Sequence, residues 1–165
     1  MWGAVGVRRM ERLDGRVRLV WLVSALVAAL VAGALAGAAD RFVLEIGLWV
    51  APVVFVVLAA LGAGYELARY RVWRFALEDD AVVLERGVLT RVTSVVPFVR
   101  VQHVDTQRGP IERLVGLSSV VVYTAGSRGA DVTIPGLTPE RADAIRQDLR
   151  RLAIESEPGD PEDAV

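Results

Sequence analysis

Leu19–Ala39 reads LVWLVSALVAALVAGALAGAA, and Ile46–Tyr65 reads IGLWVAPVVFVVLAALGAGY. Neither stretch holds a charged residue. Each is about 20 residues long, the length an α-helix needs to cross a hydrocarbon core of about 30 Å. A buried helix of a water-soluble domain is usually shorter and keeps a polar face. The pair therefore predicts a helical hairpin that crosses a bilayer twice, with spans at about 19–39 and 44–66. Whatever follows becomes a domain held at a membrane surface.

The flanks set the expected orientation. Arg8, Arg9, Arg12, Arg16 and Arg18 precede the first run, and Arg69, Arg71 and Arg74 follow the second. The connection between the runs holds only Asp40, Arg41 and Glu45 as charges. Arginine-rich flanks stay in the cytoplasm. The expectation is a protein integral to the cytoplasmic membrane, with both termini in the cytoplasm. A cleaved secretory signal is the competing reading of the first run, because Ala36-Gly37-Ala38 has the small residues of a cleavage site. The run is longer than the apolar core of such a signal, and Met-Glu-Arg after Arg9 lacks the apolar pair of a twin-arginine motif.

Within the first span Ala25, Ala29, Gly33 and Gly37 fall four apart on one face. Small residues let helix backbones approach closely. Ala29, Gly33 and Gly37 are thus candidate helix-packing residues, either on the second span or on another copy of the chain. Pro52 is a candidate kink. Trp21, Trp49, Tyr65, Tyr70 and Trp73 lie near the span boundaries, where aromatic belts form. Glu45 is read as an interfacial carboxylate beside Arg41, with an intramembrane role as the alternative.

From Arg71 the pattern changes to short strands. In VWRFALE, Trp73, Phe75 and Leu77 alternate with polar or small neighbours, a period of two. Asp79-Asp80 marks a turn, AVVLERG a second strand and Val88–Pro97 a third. In VRVQHVDTQ the parity slips between Val101 and Val104, which predicts a bulge at Gln102-His103. Ile111–Gly116 reads as a helical turn, Ser118–Ala125 as a β-branched strand, Gly126–Gly129 as a turn and Val132–Ile134 as a strand. Thr138 is a candidate N-cap with Pro139 at the first helical position. Ala142, Ile145, Leu149 and Leu152 then form one apolar helical face. The predicted organisation is a basic arm at 1–18, a hairpin at 19–66, a domain at 70–153 and an acidic disordered tail at 154–165. The fold class is α+β, a β-barrel or sandwich closed by a C-terminal helix.

The stretch VPFVRVQHVDTQRGPIERLVGLSSVVVYTAG, from Val96 to Gly126, resembles the signature of bacterial PH-like membrane proteins of the YdbS-like group. So does its frame: two spans, then YRVWRFALEDDAVVLERGVLTR, then VTIPGL before a final helix. The resemblance covers roughly 16–152. It implies a pleckstrin-homology-like domain and no enzyme, and the family offers no catalytic residues to carry over. Members of the group often hold two or more such units. This sequence holds one, so a function needing paired domains implies an oligomer.

The residues themselves offer little chemistry. There is no Cys, so neither disulfides nor thiolate metal sites arise. The sole His is His103, with Asp105 two residues on, and no serine sits in a nucleophile elbow. The expected state is a His103–Asp105 pair on one strand face, or pairing with Arg100 or Arg108. No metal or cofactor is expected. Gly126-Ser127-Arg128-Gly129 reads as a hairpin turn, since no helix follows it. All nineteen basic residues are Arg. They form no basic run with interleaved aromatics, so nucleic acid is not an expected partner. The candidate contact residues for a protein partner or lipid are Arg71, Arg74, Arg91, Arg100, Gln102, His103, Asp105, Gln107, Arg108 and Arg113. The expected partners are the bilayer itself and a protein or second copy, with anionic lipid headgroups as an alternative. The leading function is a non-enzymatic interaction or scaffold module at the cytoplasmic face. The alternatives are an anionic-lipid-recognising domain and an accessory subunit of a transporter or membrane enzyme.

Overall fold

The computed structural model describes residues 10–44, 46–124 and 132–155. A two-residue strand, β1 (Glu11–Arg12), precedes helix α1 (Val17–Ala39). A π-helical turn (Asp40–Leu44) leads to α2 (Val50–Val72). Three strands follow: β2 (Arg74–Leu77), β3 (Ala81–Arg86) and β4 (Val92–Pro97). A 3-10 turn (Phe98–Arg100) enters β5 (Val101–Gln107), then α3 (Pro110–Val115). β6 (Ser118–Thr124), β7 (Val132–Leu137) and α4 (Pro139–Glu155) complete the chain. The strands form two antiparallel sheets, ordered β1-β2-β3-β4 and β5-β6-β7.

The helices α1 and α2 lie against each other through the small-residue face. A Cβ placed on Gly37 meets the Ala51 Cβ at 2.8 Å, and one on Gly33 meets the Ala51 carbonyl oxygen at 3.1 Å. Ala29 is buried on the same face. Gly33 and Gly37 are therefore packed within the chain, where a side chain would force the helices apart. Pro52 does not interrupt α2. It stands at the third position of α2, where a helical N–H has no intrahelical acceptor and its loss costs nothing. The far turn is closed by Asp40, whose buried carboxylate accepts the N–H groups of Ile46 at 2.7 Å and Gly47 at 3.2 Å. Glu45 lies outside the described residues. Away from this seam the apolar surface is bare: none of the most apolar stretch of α2 is buried in protein. A core helix of a soluble protein would be covered.

The rest folds around one core drawn from both sheets and α4. Phe75, Val82, Leu84, Phe98, Leu117, Val120, Val122 and Ile134 are buried, with Ala142, Ile145 and Leu149 from one face of α4. Thr138 caps α4, its hydroxyl accepting the Arg141 N–H at 3.3 Å. α3 ends at Gly116, which takes the left-handed conformation at φ 68°. The predicted bulge is present as a register shift between Val101 and His103.

Several boundaries differ from the sequence reading. The arm before the hairpin is part of the sheet: β1 pairs with β2, Glu11 opposite Phe75, and Leu13 is buried in the core. Residues 1–9, with Arg8 and Arg9, lie outside the described residues. The second span starts later and runs on to Val72, which brings Arg69 and Arg71 into its last turn. Trp21 and Trp73 belong to the domain core, not to a lipid-facing belt. Residues 88–91 are a loop, because Gly87 turns the chain at φ 102° before β4 begins. Val99 points outward and Phe98 takes the core position. The turn at 126–129 and the tail from 156 lie outside the described residues.

Candidate functional site

Where hairpin meets domain, polar and aromatic groups lock the two together. The Tyr70 hydroxyl donates to the Leu13 carbonyl at 3.2 Å, and the Asp14 N–H donates to the Gly136 carbonyl at 2.9 Å. Arg16 donates from Nη1 to the Val115 carbonyl at 3.1 Å and from Nη2 to Asp14 at 3.1 Å. The Arg16 guanidinium and N–H hold the Asp14 carboxyl below its ordinary range. The Arg69 guanidinium lies 4.1 Å from the Trp21 ring centroid and that of Arg18 4.8 Å from Tyr70.

Two surfaces beyond this junction could receive a ligand. The first is a cleft of about 370 Å³ at the end of α2, lined by Arg71, Arg74, Arg86 and Arg91 together with Glu85. The second is a groove of about 460 Å³ between β5 and α4. Phe98, Val99, Val101, Val104, Ala153 and Ile154 make its apolar walls, and Gln102, His103, Arg146 and Arg150 its polar rim. Both Val99 and Ile154 leave more than 60% of their surface uncovered, at 62% and 61%. β5 is the end strand of its sheet, so among the described residues one edge of its backbone pairs with no other strand.

The candidate contact residues do not form one surface. Arg71, Arg74 and Arg91 gather in the cleft; Gln102 and His103 line the groove. His103 Nε2 lies 2.7 Å from Asp105 Oδ1, the expected pair, and its ring is 5.9 Å from that of Tyr123 across the ladder. Arg100 is exposed in the 3-10 turn before β5, and Gln107 is exposed at the end of β5. Arg108 is engaged locally, donating from Nε to Ser118 Oγ at 2.6 Å. Arg113 is exposed on α3. Arg86, a strand arginine along the sequence, is brought beside Arg74 by the β2–β3 register. Sequence reasoning missed Arg146 and Arg150, which stand four apart on the final helix beside its apolar face.

The two-sheet body closed by a helix and carried on an apolar hairpin matches a known family along most of its length. The family model for the Bacterial PH domain matches residues 17–153. The chain belongs to the bacterial PH domain family. It is also 36% identical over 85 residues to the UPF0699 transmembrane protein YdbS of Bacillus subtilis (strain 168). That match covers 52% of this chain and 52% of the relative, so the chain aligns with about half of that protein's length. No solved structure matches the chain. This bacterial PH domain protein is a membrane protein, with two candidate spans and a relative named for its transmembrane character. The family match begins at Val17, the first residue of α1, so hairpin and domain both lie within the matched residues while β1 lies just outside them.

Proposed function

We propose that this bacterial PH domain protein is a non-enzymatic interaction module whose barrel-like domain lies on the cytoplasmic face. The orientation rests on charge: Arg12, Arg16, Arg18, Arg69, Arg71 and Arg74 cluster at the domain end of the hairpin, with Asp40 and Arg41 at the other. The reading of the domain rests on the groove beside β5. A strand edge that no described strand pairs, next to apolar walls, suits an extended peptide, which adds a strand and buries alternate side chains. The rim selects its charge. Arg150 enters no ion pair among the described residues, and Arg146 has only an exposed 3.6 Å contact with Asp143. The occupant is therefore an extended protein segment carrying apolar and acidic side chains. A catalytic role draws no support from His103, which is exposed and held by Asp105, nor from Ser118 and Ser119, which are buried and bonded to Arg108 and Glu112.

Two experiments test this. The cysteine-free chain allows Gln102→Cys to be labelled alone. A membrane-impermeant maleimide should reach it in inverted vesicles and not in intact cells; the reverse pattern overturns the orientation. A photocrosslinking residue at Val99 of the full chain should give an adduct in native membranes, and Arg146→Glu with Arg150→Glu should abolish it. Sequencing the adduct should find an extended segment of apolar and acidic residues. Adducts indifferent to charge reversal remove the groove as a docking site, and an adduct of twice the chain mass assigns it to a second copy.

A further inference from the structure

The direction of three strands gives the arginine cleft a definite neighbour. α2 leaves the apolar region at Arg69–Val72, and β2 carries the chain onward from Arg74 to Leu77. β3 runs back, with Leu77 opposite Val82 and Arg74 opposite Glu85. β4 starts where β3 ends, Arg86 opposite Val92. The connection 87–91 therefore lies at the membrane end of the sheet, beside the last turn of α2. Positive residues just after a span are the ordinary sign of orientation, which accounts for Arg71 and Arg74. It does not account for Arg86 and Arg91, which strand reversal returns to the same place. Among the described residues the arginines in ion pairs are Arg16, Arg69, Arg141, Arg146 and Arg151, none of them from the cleft. Glu85 is, among the described residues, the one carboxylate in its lining.

The tip of the connection adds a second observation. Leu89 is 94% exposed. A Cβ on Gly87 would lie 1.9 Å from the Thr90 carbonyl oxygen, so the turn is tight and fixed in shape. An isolated exposed leucine needs no explanation in water. Here it stands at the membrane end of the sheet with Arg86 and Arg91 on its shoulders. Apolar tip and cationic shoulders match a leaflet in cross-section, acyl chains beneath a plane of phosphates.

We propose that Arg71, Arg74, Arg86 and Arg91 clasp the phosphate of an anionic lipid in the leaflet from which α2 emerges, while Leu89 enters the acyl region. The domain is then attached at two points, the hairpin and this loop, which fixes its face relative to the bilayer. The cleft shares no lining residue with the β5 groove, so the two proposals stand or fall separately.

The test uses the full chain with Leu89→Cys carrying a nitroxide, reconstituted in nanodiscs. One set contains phosphatidylcholine alone and the other phosphatidylcholine with phosphatidylglycerol. Shielding of the label from a water-soluble nickel chelate, with access to oxygen, is expected only with phosphatidylglycerol. Each guanidinium near an anionic leaflet favours contact by about fivefold. Arg86→Gln with Arg91→Gln should then weaken the dependence by about twenty-five-fold and return the label to water. A label equally hydrated in both lipids, or shielding that survives loss of both arginines, overturns the proposal. That lipid comparison on the chain with all four arginines keeps the test valid if the double variant folds poorly. Inorganic phosphate, added at matched ionic strength, should leave the label in place. Its release would assign the cleft to free phosphate and overturn the lipid as source.

Discussion

Val17 and Leu35 lie on one helix, are both aliphatic, and meet different solvents. Val17 is 1% exposed, packed in the domain core, whereas Leu35 is 66% exposed on the outer face of the hairpin. The near end of α1 is solvated by protein and the far end by lipid. The domain is therefore not hung from the hairpin by a linker. β1 comes before the hairpin and β2 after it, so the two spans are an insertion between adjacent strands of one sheet. Leu13, Val17, Trp21 and Trp73 carry the core of the domain to the edge of the membrane.

Removing the near end of α1 should have the largest effect. A fragment covering 71–155 retains β2 to α4 but loses β1, Leu13, Val17 and Trp21. Three buried side chains at about 1.5–3 kcal/mol each are a large share of a typical stability of about 5–15 kcal/mol. The fragment should show no cooperative thermal transition by near-ultraviolet circular dichroism, while the full chain in detergent does. A cooperative melt of the fragment near the parental temperature would mean that the domain is self-sufficient. Next in size is Gly136→Ala. Gly136 has φ 63°, and its Cβ would lie 2.6 Å from that of Val17. The left-handed backbone costs about 1–2 kcal/mol and the overlap about 1–3 kcal/mol. Adding Val17→Ala should recover part of the second loss and none of the first. Simple additivity in this double-mutant cycle would deny that α1 bears on β7.

How much of this was legible in the sequence follows the same divide. Hydropathy located both spans because length and lack of charge are local properties. The bulge at Gln102-His103 and the cap at Thr138 were also visible, since parity and side-chain chemistry act over a few residues. Burial of Val17 and Trp21 was not visible, because an apolar residue looks the same whether protein or lipid covers it. The two-residue β1 was too short for any periodicity and exists only through its pairing with Arg74 and Phe75. The candidate contact residues were chosen by charge along the chain, and three regions claimed them. Arg86 joins Arg74 only through the β2–β3 register, a long-range fact.

The hairpin itself divides into a seam and an outer face. Gly37→Leu inserts a side chain against Ala51 and should cost about 1–3 kcal/mol when unfolding is followed in mixed micelles. Leu35→Ala faces lipid and should change stability by no more than about 0.5 kcal/mol. Equal effects would mean that the seam seen between α1 and α2 is not the one that holds in the membrane.

The smallest expected effect lies where the two solvents meet. Asp14 is held below its ordinary protonation range chiefly by its hydrogen bond from the Arg16 side chain, then by that from the Arg16 backbone. A carboxyl lowered in the folded state binds protons less readily than in the unfolded chain. Its stabilisation is full above the unfolded value and is lost as pH falls through the lowered folded value. Because the pair is partly exposed, Asp14→Asn should cost only about 0.5 kcal/mol at neutral pH. The gap between variant and parent should close in acid, once both carry an uncharged group at position 14. A gap that stays constant from neutral to acid pH would show that Asp14 acts through shape and not through charge.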